Sequence, residues 1–322
     1  GSSLFLPEGT VPMLPWAAIQ TLGLGLAEIS PALSFGLDLD GEGGIGDVEV
    51  VRSWVRVTRL TYQEAENLLG EEPLAGLYRQ AQIQQARRRE QGAVSIELPE
   101  IKIWVEGGEV AIRPVRPLRS RDLVTEAMLM AGEAAARFAT GTGIPIPFAT
   151  QNPPRTDERP ADLAGMYGLR RALMPSQPSS TPGPHAGLGL ELYAQVTSPL
   201  RRYLDLVVHQ QLRAHLRGEP LLTTQEVVER VGATAALTGG LRQAERLARR
   251  HWTLVYLIQH PHWHGEGILV EKRGRRATLL IPELDLDAQV HLRQDLALNS
   301  PVPLVLGEVD LAELAVHFRT EG

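Results

Sequence analysis

The sequence predicts an α+β chain of two domains, a mixed sheet-and-helix region followed by a small antiparallel barrel of OB type. Three observations predict it. Apolar residues recur at helical spacing from about 118 to 140 and again in the long run beyond Thr223. Between such runs the chain alternates apolar and polar residues or breaks at glycine turns, as hairpins do. From Gly265 onward the runs are short and β-prone, "GILVEKRG", "RATLLIP", "AQVHL", "VPLVLGEVD" and "LAVHFR", each bounded by turn residues. The change at 258–264 divides the chain into 1–258 and 259–322.

In chain order, residues 35 to 60 alternate around "DGEGGIGD" and read as a hairpin. Thr61 and Glu64 make a capping-box pair that opens a helix, and a second helix covers 74 to 91. "GAVSIELPEIKIWVEGGEVAIRPV" reads as strands turning at Gly107-Gly108. The 118–140 helix follows. A Pro-, Ser- and Gly-rich stretch, 141 to 185, holds one helix near 160 to 173. Thr223 and Glu226 cap the long helical region, which Gly239-Gly240 is expected to break or kink.

Composition narrows the classes. The chain has 322 residues, enough for two cores, and an ordinary hydrophobic fraction of 43%. It shows neither a membrane-length apolar run nor a charged-then-apolar leader, so a cytoplasmic protein with no membrane partner is the default. The absence of cysteine excludes disulfides, thiolate metal sites and a thiol nucleophile. A net charge of −6 argues against a uniformly basic nucleic-acid binder but leaves room for a local basic channel. Lys102 and Lys272 are the only lysines, so arginine carries almost all the positive charge.

One stretch breaks a local rule. "TSPLRRYLDLVVHQQL", 197 to 212, reads as a helix start, with Thr197 or Ser198 as N-cap and Pro199 at the first helical position. That places Arg201 and Arg202 in the first turn, where the macrodipole favours anions over cations. A bound phosphate would resolve the conflict. The plainer reading is that both side chains snorkel to water at a fraction of a kcal/mol.

Two other patterns suggest metals and are set aside. Asp38, Asp40, Glu42, Gly43 and Glu49 match EF-hand loop positions, but their flanks alternate like strands where calcium loops need helices. His260, His262 and His264 alternate as strand ligands would, but no fourth ligand accompanies them and Pro261 marks a linker.

The segment "PGPHAGLGLELYAQVTSPLRRYLDLVVHQQL", 182 to 212, resembles the signature of the ribonuclease II, or RNB, family. Tyr193, Ala194, Thr197, Ser198, Pro199, Arg201, Arg202, Tyr203, Asp205 and His209 all match its core pattern. "SSLFLPEGTVPMLP", "LVTEAMLMAGEAAARF" and the "QAER" around Glu245 are further ordered matches, and the terminal β-region is similar to the family's S-one type RNA-binding domain. The resemblance implies a magnesium-dependent, processive 3′→5′ exoribonuclease that acts on single-stranded RNA and releases nucleoside 5′-monophosphates. It implies a phosphate contact for Arg201 and a backbone clamp for Arg202, with Glu126 and Glu245 as polar groups of the active site. The RNA-binding set is Phe5, Ile96, Tyr193, Ser198, Arg201, Arg202 and His209. Asp205 and His209 share a helical face with Arg201 and are expected to orient it, Asp205 as an i,i+4 pair. Tyr203 reads as core.

The family's metal-binding aspartates form a compact cluster upstream of the "Y-L-P" segment, and no equivalent occurs in this chain. Asp38, Asp40 and Asp47 have the wrong spacing, and Asp285 and Asp287 fall in the barrel. The metal assignment within the chain is therefore none, and the expected partner is the N-terminal part of the same protein. Alone, the chain is expected to have negligible nuclease activity. Phe5 replaces the family's tyrosine, and Ile96 stands where the family often places a base-clamping phenylalanine, which predicts a changed product end-size. The alternative is a non-catalytic RNA-binding protein of the same fold.

Overall fold

Helices that bury small-residue faces organise the first two thirds of the chain, and a strongly curved sheet closes the rest. The computed structural model describes residues 1–320. It begins with a short hairpin, β1 (Leu4–Leu6) and β2 (Gly9–Val11), followed by α1 (Trp16–Leu22). The long hairpin comes next, β3 (Ser30–Leu39) and β4 (Ile45–Val55). Its turn is tied by Asp40, whose Oδ1 accepts from the backbone N–H of Glu42 (2.9 Å) and Gly44 (2.7 Å). Gly43 sits there at φ +82°, a conformation that suits glycine. The acidic run is a hairpin turn, as its flanks predict.

Helix α2 (Tyr62–Asn67) carries the capping box of Thr61 and Glu64, and α3 (Leu74–Glu90) follows. The strand reading fails at 91–100, which has no regular secondary structure. Ala93 N–H turns back to Arg88 O (2.9 Å) and Val94 N–H reaches Gly187 O (3.0 Å), so these backbone groups are spent on a helix end and a loop. The strands themselves are β5 (Ile101–Glu106) and β6 (Glu109–Pro114), turning at Gly107-Gly108 as expected. Helix α4 (Arg119–Thr142) buries Ala134, Ala135, Ala136 and Ala139 against Val50 of β4 and Val208 and Leu212 farther on.

Strands β7 (Phe148–Thr150) and β8 (Gln177–Ser179) pair across α5 (Leu163–Ala172), whose N-cap is Asp162. The expected helix start at 198 is corrected: α6 spans Tyr203–Arg217, with Arg202 at its cap in extended conformation. The amides of Arg201 and Arg202 fold back onto Ser198 O (3.1 and 3.0 Å), forming a separate turn ahead of the helix. Both arginines therefore lie before the first turn, and the conflict with the macrodipole is smaller than the sequence suggests.

Helix α7 (Thr224–Gln259) runs 36 residues through Gly239-Gly240 without the expected interruption. A side chain at either glycine would meet open space, and the helix is anchored at both ends by buried Val227, Leu254 and Leu257. Two glycines cost such a helix roughly 1 kcal/mol each, too little to break it.

The remaining strands are β9 (His264–Arg273), β10 (Arg276–Ile281), β11 (Leu286–His291), β12 (Pro301–Asp310) and β13 (Ala315–Thr320), in the order β11-β10-β9-β12-β13. All neighbours are antiparallel, and the edge strands β11 and β13 approach each other, giving a nearly closed barrel. Its core, Leu269, Leu279, Ile281, Val302 and Leu304, takes in Leu254 and Leu257 from α7. The helix thus joins the barrel to the first domain. No helix among the described residues is long and apolar enough to cross a membrane.

Candidate functional site

The turn of residues 198–202 is held from below by one buried carboxylate. Asp205 is fully buried, and its Oδ2 accepts from the Ser198 amide (2.8 Å) and from the Arg202 guanidinium (2.7 Å). The expected pairing of Asp205 with Arg201 is corrected: its ion pair is with Arg202, three residues away. Among the described residues His209 makes no hydrogen bond to Arg201 either. Its Nε2–H donates to Val196 O (2.7 Å), tying α6 to the strand-like segment that leads into the turn. Burial holds the His209 imidazole below its ordinary 6.5, which keeps it neutral.

Arg201 is the member left open. Among the described residues it has no carboxylate partner. Its guanidinium lies over the exposed Phe5 ring at 5.9 Å, a cation–π contact. Partial desolvation, and next the charge of Arg202, lower its pKa. Such a cation gains from an incoming anion. Its carbonyl accepts from Ser3 N–H (2.9 Å) and Ser2 Oγ (3.0 Å), so the N-terminal strand is laced directly to the turn. Glu245, on α7, closes the group by accepting from the Phe5 amide (3.0 Å).

Phe5, Arg201, Arg202, Ser198 and Glu245 are therefore brought together. Beside them opens a cleft of about 330 Å³, lined by Arg202, Arg242, Ser176 and Gln195 among others. Arg242 escaped the sequence reading. It stands three residues before Glu245, a spacing that puts both on one helix face, and that signal was available.

Three other expected site residues are taken up by packing. Glu126 is buried, with both oxygens held by Arg88, which also donates to Leu188 O (2.9 Å). A carboxylate so engaged is a staple between α3 and α4. Tyr193 is buried edge-to-face against His185 (5.8 Å) and over Gly132, where any side chain would collide with it. It offers no open ring face. Ile96 is half-buried in the irregular 91–100 segment.

The described residues contain no cluster of three or more His, Asp or Glu fit to hold a metal. His260 is spent otherwise, stacked on Tyr256 at 4.1 Å with Nδ1 bonded to Tyr256 O (2.7 Å). A magnesium site does not fit the donors present among the described residues.

Phe5, Arg201 and Glu245 thus form one group, and α7, which carries Glu245, runs on to the OB-type barrel. The RNB domain matches residues 1–164 and 161–218, and the RNase II-type exonuclease C-terminal S1 domain matches 263–321. The chain belongs to the RNB family. It is 34% identical over 336 residues to an uncharacterized ribonuclease of Synechocystis, covering 99% of this chain and 50% of that protein. It is 31% identical to the chloroplastic/mitochondrial ribonuclease II of Arabidopsis thaliana, covering 89% and 39%. The chain thus spans half or less of these relatives' length. Mycoplasma genitalium RNase R, solved in complex with ribose-methylated single-stranded RNA, superposes with a TM-score of 0.84 over 99% of this chain and 62% of that one. At 17% identity that likeness is one of fold alone.

Proposed function

We propose that this chain is the RNA-holding part of a magnesium-dependent 3′→5′ exoribonuclease that releases nucleoside 5′-monophosphates from single-stranded RNA. One observation carries the reading: Arg201, without a carboxylate partner among the described residues, stands over exposed Phe5 on a turn fixed by buried Asp205. The guanidinium would take a backbone phosphate bidentately, and the ring would take a base face. Arg202 acts from behind, its charge spent on Asp205, and Glu245 fixes the Phe5 backbone. Family membership supports hydrolysis. The metal-binding carboxylates are assigned to the N-terminal part of the same protein, because the described residues assemble none. A cytoplasmic location belongs to the same reading.

The test has two arms. Binding of labelled oligoadenylate to the 322-residue chain should fall at least tenfold in Arg201→Ala, since a charged hydrogen bond is worth about 1.5–3 kcal/mol. Magnesium-dependent degradation by the chain alone should be negligible and should return when the N-terminal part is added. Vigorous degradation by the chain alone would overturn the assignment of the metal ligands. The second reading, a non-catalytic RNA-binding protein, is favoured by the same lack of an assembled donor set. It prevails if the complete protein binds RNA and leaves it intact.

A further inference from the structure

We infer that the outward face of the β5–β6 hairpin, Lys102, Trp104 and Arg113, is a second docking platform for single-stranded RNA, lying between the cleft and the barrel. The inference rests on the reading of RNA as the partner and adds a site that the cleft does not contain.

The pleat decides which residues face out. Ile101, Ile103 and Val110 are buried against Trp252, Val255 and Tyr256 of α7, so the alternate positions of the hairpin are turned to solvent. On that outer face Lys102 stands directly opposite Arg113, and Trp104 opposite Ala111. Like charges placed directly across a hairpin repel. Neither Lys102 nor Arg113 has a carboxylate partner among the described residues. Both instead lie over the Trp104 ring, at 4.9 and 5.6 Å, and the indole is 40% exposed. Two unneutralised cations around an exposed aromatic ring suit a base stacked on the indole, with the flanking phosphates drawn to the cations. The hairpin tip carries Glu106 and Glu109, which repel phosphate, so the strand is held at the hairpin base, near Lys102 and Arg113.

Position supports the partner. Helix α7 carries Glu245 against Phe5 and, seven residues on, Trp252 against the back of the hairpin, a rise of about 10 Å. Trp252 Nε1–H donates to Glu8 (2.6 Å), in the turn of the β1–β2 hairpin that bears Phe5. Gln259 then clamps the hairpin turn, accepting from Val110 N–H (3.0 Å) and donating to Gly108 O (2.8 Å), five residues before the barrel begins. The hairpin therefore sits on the stretch of α7 between Glu245 and the barrel, and a strand reaching from the Arg201 turn to the barrel passes over it.

The experiment compares fluorescein-labelled oligoadenylates of about 4 and about 16 nucleotides, the range of OB-type site sizes, on the full 322-residue chain. Trp104→Ala should weaken the longer probe about tenfold and leave the shorter one unchanged, and Trp104→Phe should restore most of the loss. Lys102→Ala with Arg113→Ala should lower the slope of log affinity against log salt by about 1.4 for the longer probe only. Arg201→Ala should weaken both probes. If Arg201→Ala weakens both and Trp104→Ala changes neither, the platform is wrong and the cleft reading stands. If Arg201→Ala changes neither while Trp104→Ala weakens the longer probe, the cleft reading fails and the platform stands. If neither variant changes either probe, both fall.

Discussion

Two of the chain's runs of adjacent arginines look alike in sequence and behave differently in space. Arg87 and Arg88, in the last turns of α3, are both nearly buried and both spent on α4: Arg87 on Glu133, which also binds Arg137, and Arg88 on Glu126. Arg201 and Arg202 share a single buried carboxylate, Asp205, and it takes Arg202. One pair is a staple. The other is half anchor and half open hand. A guanidinium becomes available to a ligand when the structure provides no carboxylate to neutralise it, and among the described residues that is true of Arg201.

The comparison is broken most sharply at the staple. Glu126→Ala should destabilise the fold by about 3–5 kcal/mol, because it strands the Arg88 charge in the interior, and urea midpoints would read the loss. Replacing Arg88 and Glu126 together with methionine should recover most of it. If Glu126→Ala instead leaves stability intact and abolishes nuclease activity in the complete protein, Glu126 belongs to the chemistry and the staple reading is wrong. Asp205→Ala should cost less, about 2–3 kcal/mol, since Arg202 is partly open to water, and it should also loosen RNA binding by releasing the turn. Arg201→Ala should change the unfolding free energy by no more than about 0.5 kcal/mol while RNA affinity drops, the reverse of the staple's behaviour.

The smallest effect concerns pH and separates the two regions again. His209, and likewise His185 behind β7, have folded pKa values held below the ordinary 6.5 by burial. Between the folded and unfolded values the unfolded chain binds more protons, so this stability is full above about pH 6.5 and is lost as pH falls toward the folded values. Stability should therefore decline as pH falls below about 6.5, and His209→Gln should flatten part of that slope. If the slope survives in a double His185→Gln, His209→Gln variant, the anchorage of the turn is not what titrates.

Much of the architecture was legible in the residues. Periodicity located α4, capping boxes at Thr61 and Thr223 opened α2 and α7, and glycine turns marked the β3–β4 and β5–β6 hairpins. These features depend on neighbours a few positions apart. Readings that failed depended on distant partners. The 91–100 segment has β-like composition but spends backbone groups on Arg88 and Gly187. Ser198 and Pro199 look like a helix start, but Asp205 draws the Ser198 amide into a turn. Gly239-Gly240 looks like a break, and buried contacts at both ends of α7 override it.

By itself, the sequence determined the family motif, the element types and the residues able to meet a phosphate, because spacing and side-chain chemistry are properties of the chain. Tertiary structure alone decided which of those residues are free to do so. Glu126 and Tyr193 match the motif and are buried in packing, while Arg201 is left over Phe5 without a counter-ion among the described residues. Neutralisation depends on which carboxylate lies within a few ångströms, and sequence distance does not encode that.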